Sequence, residues 1–439
     1  MDPAAAPAAI RTARRPYTAA LCVFSVLAVG LMVSGAWSLL SRLGVPVLEL
    51  PWADVRTLTG AGVALERGLD PMVENPGDPW GRPFNYPRVW LLLPRLGLSA
   101  ADSALLAWVM FAALCGGLWA LRPLLTTRRG AWLLAAGALA PTTWLGLERA
   151  NSDLLMFGLV AIATLLADAH RVAAVTAVGL AAVLKLYPIA GAVTLIGLRR
   201  GPTLRAMLPL GLAFATYVLW IRDDLRPMQQ AAAHAPWLAY GLELVPCLVS
   251  KNTAVNATAA LGAAAVMLLA TAAFALLTRR HVRLGAAGSP ASLRGFRAGA
   301  AVYLGTFLLG HSFDYRLLFL LLTVPQLAAW TRFGSRDTRR VAVVCVAAVL
   351  LLQWSLAWRS GLQALIGDTS PGVALDELLS WGAWAGLALL FAASLPDWLL
   401  PKSWRGAALL DATPRSPLAG PSPLPSAARK PRRSARTGA

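Results

Sequence analysis

Residues 172–198 read VAAVTAVGLAAVLKLYPIAGAVTLIGL, an apolar run with one charge, Lys185, followed at once by Leu186-Tyr187-Pro188. How this run meets a membrane decides the side on which everything after it lies. It is long enough to cross a hydrocarbon core of about 30 Å as one helix. Proline, however, disfavours helical geometry at the residue before it, so the run is expected to break there. If it crossed, Arg199, Arg200 and Arg205 would lie outside; if it dips in and returns, they lie inside with every other arginine cluster. Non-helical backbone at membrane depth is tolerated where protein buries it or it lines a wet cavity. The reading adopted is a re-entrant hairpin.

Working outward, ten further apolar runs of spanning character occur at 17–40, 104–121, 131–147, 152–168, 205–221, 257–278, 298–312, 315–331, 341–358 and 377–400. The chain has 439 residues, 57% hydrophobic and only 14% charged, against about 25% charged in soluble domains. The first run follows Arg11, Arg14 and Arg15 but is too long for a signal-peptide core and lacks an Ala-x-Ala site, so it reads as a retained helix. The expected fold class is an all-α polytopic membrane protein. A formal charge of +19 would point to nucleic acid in a soluble protein, but here it is how a membrane protein is oriented, and no nucleic-acid partner is expected. Cys22, Cys115, Cys247 and Cys345 show no paired spacing, so neither a disulfide framework nor a metal site is expected.

With the N-terminus inside, 27 of the 40 Lys and Arg residues fall on the inner face with 5 of the 21 acidic ones. The outer face keeps the other 13 basic and 16 acidic residues. The expected topology is therefore N-in and C-in. Ala/Arg richness adds the expectation of a bacterial inner (plasma) membrane. Residues 1–16 form a cytoplasmic start, 17–400 the transmembrane domain and 401–439 a disordered basic tail, whose Arg429, Lys430, Arg432, Arg433 and Arg436 would attract anionic membrane lipid. The first outer loop, 41–103, opens with a surface helix expected from Trp52 to Arg67, with Val55, Leu58, Gly62 and Leu65 on one stripe and Gly68 as the stop. A second outer loop spans 222–256, where Arg222-Asp223-Asp224 reads as a solvated helix end. Gly285 to Arg297 reads as an inner connector.

The residues that can carry chemistry sit at the outer end. Asp54, in the first turn of the surface helix, either complements the positive helix end or acts as a general base facing an acceptor hydroxyl. Glu148, Arg149, Asn151 and Asp153 interrupt two apolar helices, as a surface turn or as the lining of a cavity. Lys185 is the sharpest signal, because a lysine central in an apolar segment costs about 2.5–3.5 kcal/mol on insertion scales and generally faces a cavity or an anion. Tyr187 beside it adds a hydroxyl. His311, Asp314, Tyr315 and Arg316 form another tight outer turn.

Absences narrow the chemistry. No Asp-x-Asp pair, no phosphate-cradling Gly-rich loop with its lysine and no helix with paired histidines occurs, so neither cofactor nor metal is expected. The picture is a cavity opening outward, with a carboxylate at the rim and cations deeper in. Activated donors outside the inner membrane are lipid-linked, and a polyprenyl phosphate leaving group needs such positive partners.

With these residues in place, the chain resembles the large integral membrane glycosyltransferases of the fold class called GT-C. It is most similar to the family 87 polyprenyl-phosphate-mannose-dependent mannosyltransferases. The resemblance covers most of 17–400. It rests on Asp54, on Ala64-Leu65-Glu66-Arg67-Gly68-Leu69-Asp70-Pro71, on Phe84-Asn85-Tyr86-Pro87, on Glu148-Arg149-Ala150-Asn151-Ser152-Asp153, and on Lys185-Leu186-Tyr187-Pro188 followed by Arg199-Arg200. Met72 stands where the family often has tyrosine, and Arg88 where it often has a second proline. The resemblance implies a GT-C-like bundle, Asp54 as catalytic base, and Lys185 and His311 on the donor phosphate or sugar. The charge map adds Arg149 and Arg316, and Tyr187 joins them by position.

The expected function is inverting transfer of a hexose, mannose first, from a polyprenyl-phosphate sugar donor to a glycolipid or glycan acceptor at the outer face. Two rivals are a transporter or flippase using Lys185 as its substrate or coupling site, and a polysaccharide polymerase or ligase. A third is a non-catalytic assembly partner.

Overall fold

Leucine, alanine and valine dominate the long runs, and in hydrocarbon the backbone of such a run can satisfy its polar groups only by coiling into a helix. In the computed structural model this is what the chain does. Described are residues 5–399 apart from 232–234, 243, 246–256, 280–281, 283, 286 and 309–311. The helices are α1 (Ala5–Ser34), α2 (Ala53–Glu66), α3 (Ser103–Leu121), α4 (Arg128–Ala138), α5 (Pro141–Arg149), α6 (Asp153–Leu166), α7 (Arg171–Leu184), α8 (Arg200–Trp220), α9 (Arg222–Gln230), α10 (Ala257–Thr278), α11 (Pro290–Leu308), α12 (Val324–Phe333), α13 (Arg336–Gln353), α14 (Ser355–Ile366) and α15 (Ser370–Ser394). A two-stranded antiparallel ribbon, β1 (Ala239–Tyr240) on β2 (Ser312–Phe313), is the sheet among the described residues. The protein is an all-α polytopic membrane protein.

The expected spans all contain helix among their described residues, but not all are straight, full-length helices, and that at 298–312 ends with Ser312 on β2. Five are single helices long and apolar enough to cross: α1, α3, α8, α10 and α15. Two are bent pairs, α4–α5 by 44° and α13–α14 by 67°. The first bend lies just before Pro141. At the second, the Thr142 hydroxyl inserts beside Gln353, 2.5 Å from its side-chain oxygen and 3.1 Å from its carbonyl. The span expected at 152–168 contains only the 14 residues of α6, about 21 Å of helix. That expected at 315–331 is a 3₁₀ helix, Asp314–Leu322, followed by α12. Part of the expected connector 285–297 is helix, because Ser289 accepts the Ser292 amide at 3.0 Å and Pro290 starts α11 there.

The 172–198 run is a hairpin. α7 rises to Leu184, the backbone turns extended at Lys185, and a 3₁₀ helix, Tyr187–Leu195, brings the chain back. A Cβ built on Gly197 would lie 3.9 Å from the Arg171 guanidinium, so the two ends of the run are neighbours. At the tip, the Trp90 indole donates to the Leu184 carbonyl at 2.9 Å. Arg88, ahead of α3, reaches Asp224, beyond α8, at 2.7 Å. Had the run crossed, those two partners would lie at opposite ends of the bundle.

Ion pairing separates the two ends throughout. One end gathers the residues expected outside. The other holds Arg279–Asp397 and Arg294–Asp168, each at 2.7 Å, with Arg297 donating to the Ile196 carbonyl and Arg14 to Pro123 and Leu125. Each ion pair among the described residues joins partners from one set.

The helix expected on the surface is α2, ending as anticipated before Gly68 at φ +69°. It is more enclosed than the sequence suggests, since Ala53, Val55, Thr57, Leu58, Thr59, Gly60, Ala61 and Ala64 are all buried. Small residues explain this. A Cβ on Gly60 would strike the Gly77 carbonyl, and one on Gly77 the Gly60 carbonyl, so loop and helix meet backbone to backbone. Gly77→Val is therefore expected to cost about 1–3 kcal/mol and to undock the loop. A lower detergent-solubilised melting temperature with faster tryptic cleavage at Arg88, at the end of the loop, would show it; an unchanged digest would refute it.

Candidate active site

Three helix ends and one loop converge at the outward-assigned end. α5 stops at Ala150, which takes left-handed geometry (φ +47°). Asn151 then starts the next helix, its side-chain oxygen accepting the Asp153 amide at 2.8 Å. Trp52, the residue before α2, is also left-handed (φ +66°), and its amide donates to the Glu148 carbonyl at 2.7 Å. Trp52 and Ala150 are the non-glycine residues of positive φ among those described. Such strain costs on the order of 1–3 kcal/mol and persists where surrounding structure enforces it. Here the two strained residues flank one contact, the Asn151 amide donating to Asp54 at 2.6 Å.

The other end of the same side chain faces Lys185. Its ammonium donates to the Asn151 oxygen at 3.1 Å and to Ser152 at 3.2 Å, and pairs with Asp153 at 2.5 Å. A carboxylate only accepts and an ammonium only donates, so the amide nitrogen turns to Asp54 and its oxygen to Lys185. A single asparagine thus links the carboxylate to the buried lysine. Arg316 Nε lies 3.4 Å from the second Asp153 oxygen, with its guanidinium 5.1 Å over the Tyr187 ring. Tyr86 closes another side, its ring 5.4 Å from the Lys185 ammonium.

Asp54, Lys185, Arg316 and Tyr187 therefore gather around Asn151 and Asp153. Lys185 is not an uncompensated cation, because Asp153 neutralises it. Arg149 does not face the same space: its guanidinium pairs with Glu148 at 2.5 Å and donates to the Pro46 carbonyl at 2.8 Å. Glu148 in turn accepts the Leu48 amide at 3.0 Å. The pair is a brace holding the segment ahead of α2. His311 lies outside the described residues, as do Cys247 and the 401–439 tail.

Two arginines were not singled out from sequence. Arg82 reaches Asp54 at 3.5 Å while donating to the Ala53 carbonyl and to Thr57, each at 2.6 Å, and pairs with Asp78 at 2.9 Å. Asp78 lies outside the spans. Burial alone would raise its carboxyl, but bonds from Arg82 and Thr57, the Arg82 charge and the Trp80 amide outweigh it and hold it below 3.8. A depressed carboxyl contributes stability above its unfolded value, and that contribution is lost as pH falls through the folded value. Protection of the 78–82 amides, relative to their intrinsic exchange rates, should therefore hold from neutrality down to the ordinary carboxylate range and fall only in stronger acid. Protection already lost between about pH 7 and pH 5 would contradict the ion pair.

Arg359 is the second. Fully within the protein, it pairs with Asp314 and, at 2.9 Å, with Asp376. Beside it Glu377 accepts the Gly241 amide at 3.2 Å, next to the ribbon. The ribbon carries Ser312, whose hydroxyl accepts from Arg316 at 3.1 Å. Arg359 thereby anchors the turn that aims Arg316. Arg359→Gln strands two buried carboxylates and is expected to cost about 3–5 kcal/mol in thermal or denaturant unfolding. A loss below about 1 kcal/mol would mean the pair is solvated.

Arg88, where the resembled family often has proline, ties the loop ahead of α3 to the segment beyond α8 by pairing with Asp70 at 2.8 Å and with Asp224. The expected solvated helix end at 222–224 is thus half engaged: Asp223 is exposed and Asp224 is bound.

No family model matches the chain, and no curated protein does. Two solved structures match over most of its length. One is ArnT from Cupriavidus metallidurans in the apo state, 14% identical, covering 83% of this chain and 77% of that one at a TM-score of 0.32. The other is ArnT from Cupriavidus metallidurans bound to undecaprenyl phosphate, also 14% identical, covering 84% and 77% at 0.32.

Proposed function

We propose that the protein transfers a hexose, mannose first, from a polyprenyl-phosphate sugar to a glycolipid or glycan acceptor at the outer face of the membrane, with inversion. The observation that supports this best is the Asn151 bridge, which sets a partly exposed carboxylate and a buried ammonium one amide apart. In the reaction Asp54 takes the proton of the acceptor hydroxyl while that oxygen attacks the anomeric carbon. The anomeric C–O bond to phosphate breaks with its electron pair leaving on the phosphate, so the products are the new glycoside and polyprenyl phosphate. Arg82 and Asn151 orient the base, leaving its partly exposed face to the acceptor. Lys185 and Arg316, drawn from Asp153 toward a bound phosphate, offset the charge that develops there. Arg149 braces this site through Glu148, and His311 belongs to the proposal by resemblance alone.

The test is incubation of purified protein in nanodiscs with radiolabelled polyprenyl-phosphate mannose and a membrane glycolipid extract. Labelled glycolipid of inverted anomeric configuration is expected. Movement of intact donor between leaflets with no new glycoside would favour the flippase reading instead.

A further inference from the structure

A cavity of about 480 Å³ opens beside the site between the 3₁₀ helix Trp37–Leu43 and the extended segment leading to α2. That volume falls within the roughly 300–1,000 Å³ of small-molecule sites. None of the donor-side residues lines it. Trp37, Ser38, Ser41, Pro46, Glu49 and Pro51 do.

Its wall is built rather than incidental. Arg149 holds the Pro46 carbonyl and Glu148 holds the Leu48 amide, so the ion pair behind the wall fixes its shape. Trp37 is 3% exposed and packs edge-on to Trp52 at 6.5 Å between ring centroids. The indole N–H groups of both are buried without an acceptor. A buried donor left unpaired costs about 1–3 kcal/mol, so the one on Trp37, which lines the cavity, points to an acceptor that arrives from outside the chain. The Glu49 carboxylate makes no hydrogen bond or ion pair among the described residues and lies at the exposed rim.

This mixture selects a ligand class. The lining residues include no cation, and Glu49 would repel a phosphate. Val45, Val47 and Leu48 also line it, but an acyl chain would leave the Ser38 hydroxyl, the Glu49 carboxylate and the Trp37 indole donor unmatched. A neutral saccharide fits each: its C–H faces meet the indole and proline rings, and its hydroxyls can both donate to Glu49 and accept from indole and serine. Position agrees, because Pro51 at the cavity's edge is three residues before Asp54.

We infer that this cavity is a subsite for a neutral sugar ring of the acceptor, which rests on the reading of Asp54 as the base of a glycosyl transfer. The test uses protein in nanodiscs, with methyl α-mannoside and methyl α-glucoside as probes read by saturation-transfer NMR. Saturable binding of one of them is expected, weakened about tenfold by Glu49→Gln and by Trp37→Phe, which keeps the ring and removes the donor. In the transfer assay the same variants should raise the acceptor KM by a similar factor while the donor KM moves little. Sugar binding lost on Glu49→Gln in a protein that transfers no mannose would support the subsite and overturn the transferase reading. Transfer with an acceptor KM untouched by both variants, or no binding of either glycoside at millimolar concentration, would overturn the subsite.

Discussion

Asp54→Asn is expected to lower transfer from polyprenyl-phosphate mannose by about 10²–10⁴-fold, the usual contribution of a positioned base. The substitution is nearly isosteric, and what it removes is the capacity to take a proton. The side chain keeps its place, since the Asn151 amide at 2.6 Å can donate to an amide oxygen as it does to a carboxylate oxygen. The fold should scarcely respond, because Arg82 retains Asp78, Thr57 and the Ala53 carbonyl as partners. A KM for donor close to wild type and a collapsed kcat is therefore the expected pattern, read from initial rates in nanodiscs. Wild-type turnover by a correctly folded Asp54→Asn protein would remove the mechanism.

The second large effect concerns Lys185, and here a single substitution is ambiguous. Lys185→Met leaves Asp153, which has no exposed side-chain surface, opposed by Arg316 at 3.4 Å without its 2.5 Å partner. Breaking a buried pair from one side costs about 3–5 kcal/mol, so lost activity could follow from lost fold. The double variant Lys185→Met/Asp153→Asn removes both charges together and should recover most of the melting temperature. Its turnover is expected to stay about 10²–10³-fold down, since the departing phosphate would have lost one preorganised cation. If the double variant regains both stability and turnover, Lys185 serves only as the counter-ion of Asp153.

The same residue shows how far the sequence could be read. That Lys185 lies deep in the protein, at a break marked by Tyr187-Pro188, followed from transfer cost and proline geometry. That it faces Asp153 did not, since the two are 32 positions apart and no local rule joins them. Arg82 was missed for a similar reason. Between Gly81 and Pro83 it looks like a solvated loop residue, and only the Gly60–Gly77 contact brings that loop onto α2. Arg359 directly follows the span expected at 341–358, and the bend after Gln353 turns it inward to two aspartates. The start of α11 was legible in Ser289-Pro290 and was read as connector.

The two strained residues make the division plainest. Neither Trp52 nor Ala150 carries a local signal for left-handed backbone, which usually calls for glycine or asparagine. Their geometry follows from the Trp52–Glu148 backbone bond and from two helix ends that must meet. By itself the sequence determined the apolar spans, the break in the hairpin and the sorting of charge to two ends. Each of those rests on local physics, the cost of burying a group and the torsions a residue permits. Tertiary structure alone decided which charges neutralise one another and which side chains meet around Asp54 and Lys185. Coulomb attraction and hydrogen bonding act over a few ångströms, and folding brings to that range residues a hundred positions apart.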